Sequence, residues 1–365
     1  MPFWNDAIAK HLEPRLRHSI WQLVNTLIPY AALMGLMAWT APRSVWMTLA
    51  LALPTGAMLV RIFVLFHDCT HGSLFRSQRA NEFWGRITGV LVFAPFRDWR
   101  HEHVLHHATS GDLDRRGFGD VWLLTVQEYL EASGWKRLGY RFARNPVVLF
   151  LLAPISLFLV DHRFPRTGAG KRERASVHWT NAALLGIAVA ASLTVGLKTY
   201  LLVQMPVLMV AATAGVWLFY VQHQFEDAYW ERGENWDFVA AGLKGSSFYK
   251  LPGLLQWITA SIGFHHVHHL SPAIPNYNLE KCHREHSMFQ EVKPLTLLSS
   301  LKSMKCHLWD EQGRKLISFA RLREIRKEGA AARAVKELRR RVDEALASGA
   351  GENLDDVTDQ ADALS

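Results

Sequence analysis

The chain has 365 residues, is 49% hydrophobic and 20% charged, and carries a formal net charge of +8 at pH 7. So low a charged fraction beside long apolar runs excludes a solvated, disordered chain and fits one membrane unit with soluble portions. The basic residues flank the apolar runs, which suits an anionic lipid surface and not nucleic acid; Cys69, Cys282 and Cys306 form no C-x-x-C pair, so any metal must rest on nitrogen ligands.

In chain order, the N-terminus holds Asp6 and Glu13 and has no small-residue cleavage site, so it does not read as a removable signal peptide. Apolar runs near residues 20–40, 45–66, 177–197 and 200–221 each have the length of about 20 residues that a bilayer-crossing helix needs. An even number of spans leaves both termini on one side. Lys10, Arg15 and Arg17 precede the first run and arginines crowd the loop after the second, from Arg76 to Arg144. The short opposite loops offer Arg43 and Lys198. The positive-inside bias therefore puts the large segments and both termini in the cytosol. Arg61 falls inside the second run, near the end where snorkelling costs little. Stretches 87–96 and 147–160 are too short for spans and read as interfacial or re-entrant helices.

The expected fold is all-α and integral to a membrane. Four transmembrane helices carry a cytosolic helical cap, residues 67–176 and 222–318. A unit of residues 1–318 is followed at 319–365 by a basic, solvated helix with Arg321, Arg323, Arg326 and Lys327, then an acidic tail with Asp355, Asp356, Asp359 and Asp362.

Histidines stand out against this frame. In HDCTH, His67 and His71 lie four apart at the cytosolic end of the second run, so a continuing helix puts both imidazoles on one face. In WRHEHVLHH, His103, His106 and His107 are spaced i, i+3, i+4, and HHVHH repeats that spacing with His265, His268 and His269. His223, in YVQHQFED, stands where the fourth run ends on the same side. Isolated His11, His18, His162 and His178 read as hydrogen-bonded structural residues. The boxed imidazoles would repel if protonated and would each need a partner if buried neutral, so a shared cation accounts for them. Eight or nine nitrogens overfill one zinc but suit two octahedral-leaning ions, and iron is expected because imidazole suits it and it activates oxygen. Asp68, Glu102, Asp112, Asp114, Glu226 and Asp227 are candidates to orient the rings.

The strings HDCTHGSLF, WRHEHVLHHATS, LDRRGFGDVW, FYVQHQFEDAYW, GSSFYKLP and GFHHVHHLSPAIPNYNL lie within a stretch from about Phe63 to Trp309 that carries a family resemblance. They resemble the bacterial membrane acyl-lipid fatty acid desaturases, most of all the bacillar delta-5 members, with delta-12 relatives sharing the boxes. The resemblance implies a non-haem di-iron centre of two Fe ions held by the boxed histidines and His223. It also implies O2-dependent removal of two hydrogens from adjacent methylenes, giving a cis double bond in an acyl chain of a membrane phospholipid, at the bacterial inner membrane. No G-x-G-x-x-G, iron–sulfur cysteine set or H-P-G-G string is present, so a soluble electron carrier, reduced ferredoxin or flavodoxin, is expected. GAGKRER at 168–174 has Pro165 where a phosphate loop needs its first glycine. Rival readings are a hydroxylase, epoxidase or ketolase on the same scaffold, a histidine-rich metal transporter or sensor, and a zinc-dependent membrane hydrolase. The motifs leave regioselectivity, chain length, headgroup and oligomeric state open.

Overall fold

Residues 4–347 are described by a computed structural model; the acidic residues Asp355, Asp356, Asp359 and Asp362 lie outside them. All four apolar runs lie on helices long and apolar enough to cross a membrane, Leu16–Thr40, Val45–His71, Lys171–Val195 and Leu197–His223; each is longer than its run, and the third stops at Val195, before the run's end. The second helix starts where the Ser44 side chain accepts from Met47 N and stops at Gly72, whose φ of 74° a side chain would oppose. Because the helix continues beyond the apolar run, His67 and His71 sit on its last turns. The second helix packs against both the first and the fourth, and the Gly56 backbone lies so close to Val210 that a Cβ there would come within 2.5 Å. Arg61 does not snorkel. It is 3% exposed, donating through Nε to Thr26 Oγ1 at 2.9 Å and through the guanidinium to the Trp257 carbonyl, with the Trp257 ring 4.4 Å beneath it. Inward partners within reach remove the reason to seek water.

The 87–96 stretch belongs to the helix Gln78–Leu91 and the turn after it, which leads into Phe96–Thr109. The 147–160 stretch forms a π-helical turn, Val148–Leu152, and the helix Ala153–Leu159; with Gly134–Ala143 it makes a pair bent by 60°, a broken span or a re-entrant loop. The cap departs from the all-α expectation. Leu124–Thr125 pairs in parallel with Leu308–Asp310, which pairs antiparallel with Lys315–Ile317, and Phe248–Tyr249 pairs with Pro294–Leu295. These strands tie segments far apart in sequence and are too short to show a period of two. The helix Phe319–Ala347 is not wholly solvated: Phe319, Leu322 and Ile325 pack on Leu124, Tyr129, Tyr140, Leu308 and Ile317.

Candidate metal centre

Four elements deliver the nitrogens. His67 and His71, one helical turn apart, bring their Nε2 atoms to 3.3 Å, and His103 and His107, one turn apart on Phe96–Thr109, bring theirs to 3.2 Å. The short helix His265–Leu270 presents His265, His268 and His269 on one side and turns His266 to the other, where its Nε2 meets His283 Nδ1 at 3.1 Å. Contacts between elements close the site: His268 to His107 at 3.1 Å, His106 to His223 at 3.2 Å and His223 to His265 at 3.0 Å, all between Nε2 atoms. Two groups able to hold a metal ion result. One is His67, His71, His103, His107 and His268; the other is His106, His223 and His269, with His265 joined to it through His223.

The donor set fits metal ions better than it fits hydrogen bonding alone. A ring nitrogen has either one lone pair or one hydrogen, yet His107 Nε2 faces both His103 and His268, and His223 Nε2 faces both His106 and His265. His269 Nε2 is buried without a hydrogen-bond partner among the described residues. Lone pairs converging on a shared cation remove that conflict, and ligand nitrogens bonded at about 2.1 Å and at right angles sit about 3.0 Å apart. Burial first, and neighbouring imidazoles second, hold His103, His107, His265, His268 and His269 well below the ordinary imidazole pKa. That shift favours the neutral imidazole, the form that ligates.

The remaining ring nitrogens decide orientation. His106 Nδ1 faces Asp120 Oδ1 at 2.8 Å and His223 Nδ1 faces the Gly245 carbonyl at 3.3 Å, while Trp99 stacks on the His103 ring at 4.4 Å. Of the proposed orienting carboxylates, Asp68 comes nearest: its Oδ1 lies 3.5 Å from His67 Nδ1, although Oδ2 is taken by the backbone and side-chain nitrogens of Asn276. The others serve elsewhere. Asp112 is buried and paired with Arg115; Asp114 holds Arg232 and the Gly233 amide; Asp227 is exposed beside Lys293; Glu226 is exposed. Glu102 lines the cavity described below. Asp120 escaped the sequence reading because it lies in a loop with no helical register to the box, 14 residues from His106.

Of the isolated histidines, His18 and His178 are exposed and His162 is buried. His11 forms a third group with Glu285 and His286, but Lys10 already occupies that carboxylate at 2.7 Å. Beside the two main groups lies a cavity of about 510 Å³, walled mainly by apolar side chains such as Leu59, Phe63, Phe158, Leu208 and Phe219; His67, His103, His106 and His265 line it where it meets the metal-binding groups.

A helical unit of this kind, with imidazoles able to hold metal ions set beside an apolar cavity, suits an oxidoreductase acting on an apolar chain. The chain belongs to the fatty acid desaturase family, whose model matches residues 44–295. It is 47% identical over 318 residues to a fatty acid desaturase of Bacillus subtilis (strain 168), covering 87% of this chain and 90% of that one. It is 26% identical to an sn-1 oleoyl-lipid 12-desaturase of Synechocystis sp. (71% of this chain, 75% of the relative). It is 28% identical to an sn-1 acyl-lipid omega-3 desaturase (ferredoxin) of Nostoc sp. (62% and 63%). The protein is thus an enzyme of lipid metabolism that desaturates a fatty acyl chain.

Proposed function

We propose that the protein desaturates acyl chains esterified in membrane phospholipid, with O2 as co-substrate and a di-iron centre at the two imidazole groups. The observation that carries this reading is the apolar cavity lined, where it meets the imidazole groups, by His67, His103, His106 and His265. Bound there, two iron ions would let O2 act as the oxidant: two hydrogens from adjacent methylenes, two electrons and two protons from outside, and O2 together give one double bond and two waters. Unactivated methylenes offer no charge for acid–base groups to exploit, so the protein's share is placement. Leu59, Phe63, Phe158 and Leu208 hold the chain and exclude water, and the Asp120 carboxylate fixes the tautomer and angle of His106.

The ligands are His67, His71, His103, His107 and His268 on one side and His106, His223, His265 and His269 on the other. The unit spans the cytoplasmic membrane of a bacterium four times, with both termini, the cap and the metal centre cytosolic. Residues 1–318 form the desaturase unit and 319–365 an appendage to it. With no redox motif of its own, the chain takes electrons from reduced ferredoxin or flavodoxin; the relative named for ferredoxin supports the first. Expression in a host with saturated lipids, followed by mass spectrometry of intact phospholipids, tests the reading. A new cis double bond in phospholipid acyl chains is expected. An oxygenated chain without a double bond would assign the hydroxylase chemistry instead.

A further inference from the structure

A second pocket, of about 330 Å³, lies between the helix Gly134–Ala143 and the start of Phe319–Ala347. Arg137, Arg141, Arg323 and Arg326 line it, and no carboxylate does among the described residues. None of the four forms an ion pair with a described residue, whereas neighbouring Arg321 is held by Glu324 and Glu328. Arg141 is fixed by donating through Nε to the Tyr129 hydroxyl at 2.6 Å and lies 4.7 Å from the Phe319 ring centre. Four like charges around one concavity repel, and an anion seated among them turns that repulsion into charge-assisted hydrogen bonds. The forked guanidinium matches the oxygens of a phosphate.

The surroundings say which phosphate. On the same helix Trp135, Leu138 and Phe142 recur at i, i+3 and i+7 and are 83%, 57% and 63% exposed, a stripe beside the arginine face. The stripe continues into exposed Val147 and Leu152 of the bent segment that follows. Such a helix lies in a lipid interface with its apolar stripe among acyl chains and its cations level with the headgroups. Tyr140 links this pocket to the acyl cavity: its ring lies 5.9 Å from that of Tyr129, which lines the pocket, and 5.1 Å from that of Trp122, which lines the cavity.

We propose that Arg137, Arg141, Arg323 and Arg326 bind the phosphate of a membrane phospholipid headgroup and hold that lipid beside the acyl cavity. That the lipid held is also the substrate rests on the acyl-lipid reading above. The test titrates the full chain in detergent with phosphatidylglycerol and with an uncharged diacyl galactolipid of equal chain length, read by native mass spectrometry. Phosphatidylglycerol binds more tightly, Arg137→Gln and Arg326→Gln each weaken it about fivefold, the two with Arg323→Gln weaken it further, and galactolipid binding stays unchanged. The matching lysine variant, which keeps the charge but not the fork, falls between wild type and the glutamine variant, and if the triple glutamine variant does not fold the single variants decide.

Equal phosphatidylglycerol affinity in wild type and glutamine variants overturns the proposal. So does displacement by inorganic phosphate with no preference for lipid, which marks a free-anion site. Intact lipid binding with lost reduction by ferredoxin assigns the pocket to the electron carrier and overturns it too. Activity separates the two readings. A wild type that binds phosphatidylglycerol through these arginines but leaves phospholipids saturated removes the acyl-lipid reading alone; one that desaturates phospholipids yet binds them equally after substitution removes the pocket alone.

Discussion

The second and third long helices are alike as sequence and opposite as structure. Both are long and apolar enough to cross a bilayer, yet the second buries sixteen residues from Thr48 to Thr70, while the third buries only Val177 and Thr180 among the described residues and exposes Trp179, Leu185 and Leu193. Apolar composition makes a helix soluble in lipid; close approach of partners makes it part of a core. The second helix earns its place through small residues such as Ala52, Thr55 and Gly56, which let the first and fourth helices come near, and it alone of these two carries box histidines on its end.

The comparison can be broken at its strongest point first. His268→Ala or His106→Ala is expected to abolish double-bond formation and lower bound iron while leaving the chain inserted; lipid analysis and metal analysis of membranes check it, and wild-type activity would refute the ligand assignment. Asp120→Asn keeps shape but loses the charge facing His106 Nδ1, so iron affinity falls about 10–100-fold; iron retention against a chelator series measures it. Within the bundle, Leu65→Ala on the second helix, where the side chain is fully buried, costs about 2–5 kcal/mol. Leu193→Ala on the third, 83% exposed, stays within about 0.5 kcal/mol. Denaturation in mixed micelles compares the two, and equal costs would remove the distinction drawn between the helices.

The last effect lies in the cap. Burial first, then Arg144 and Arg141, lower the His307 pKa from 6.5 to about 4. Between those values the unfolded chain binds the proton that the folded chain refuses, so stability rises with pH there and is lost as pH falls from 6.5 toward 4. Hydrogen exchange of residues 308–317 at pH 7 and pH 5 is expected to show faster opening at pH 5, and His307→Asn to flatten the difference.

The sequence by itself determined the helices and the faces of the boxes, because hydrophobic length and i, i+3, i+4 spacing are local properties of one chain segment. The i, i+4 spacing of His67 and His71 is legible in the sequence, while the structure supplies the caps, Ser44 and Gly72, that carry the helix through both residues. Tertiary structure decided the rest. The nine imidazoles fall into two groups because His268 reaches His107 and His223 reaches His106, pairings 161 and 117 residues apart that no periodicity announces. Asp120 reaches His106 through a loop, Arg61 turns inward to Thr26 and Trp257, and Leu124–Thr125 finds Leu308–Asp310. Each depends on which surfaces meet once the chain has closed, and that is a property of packing rather than of any single segment.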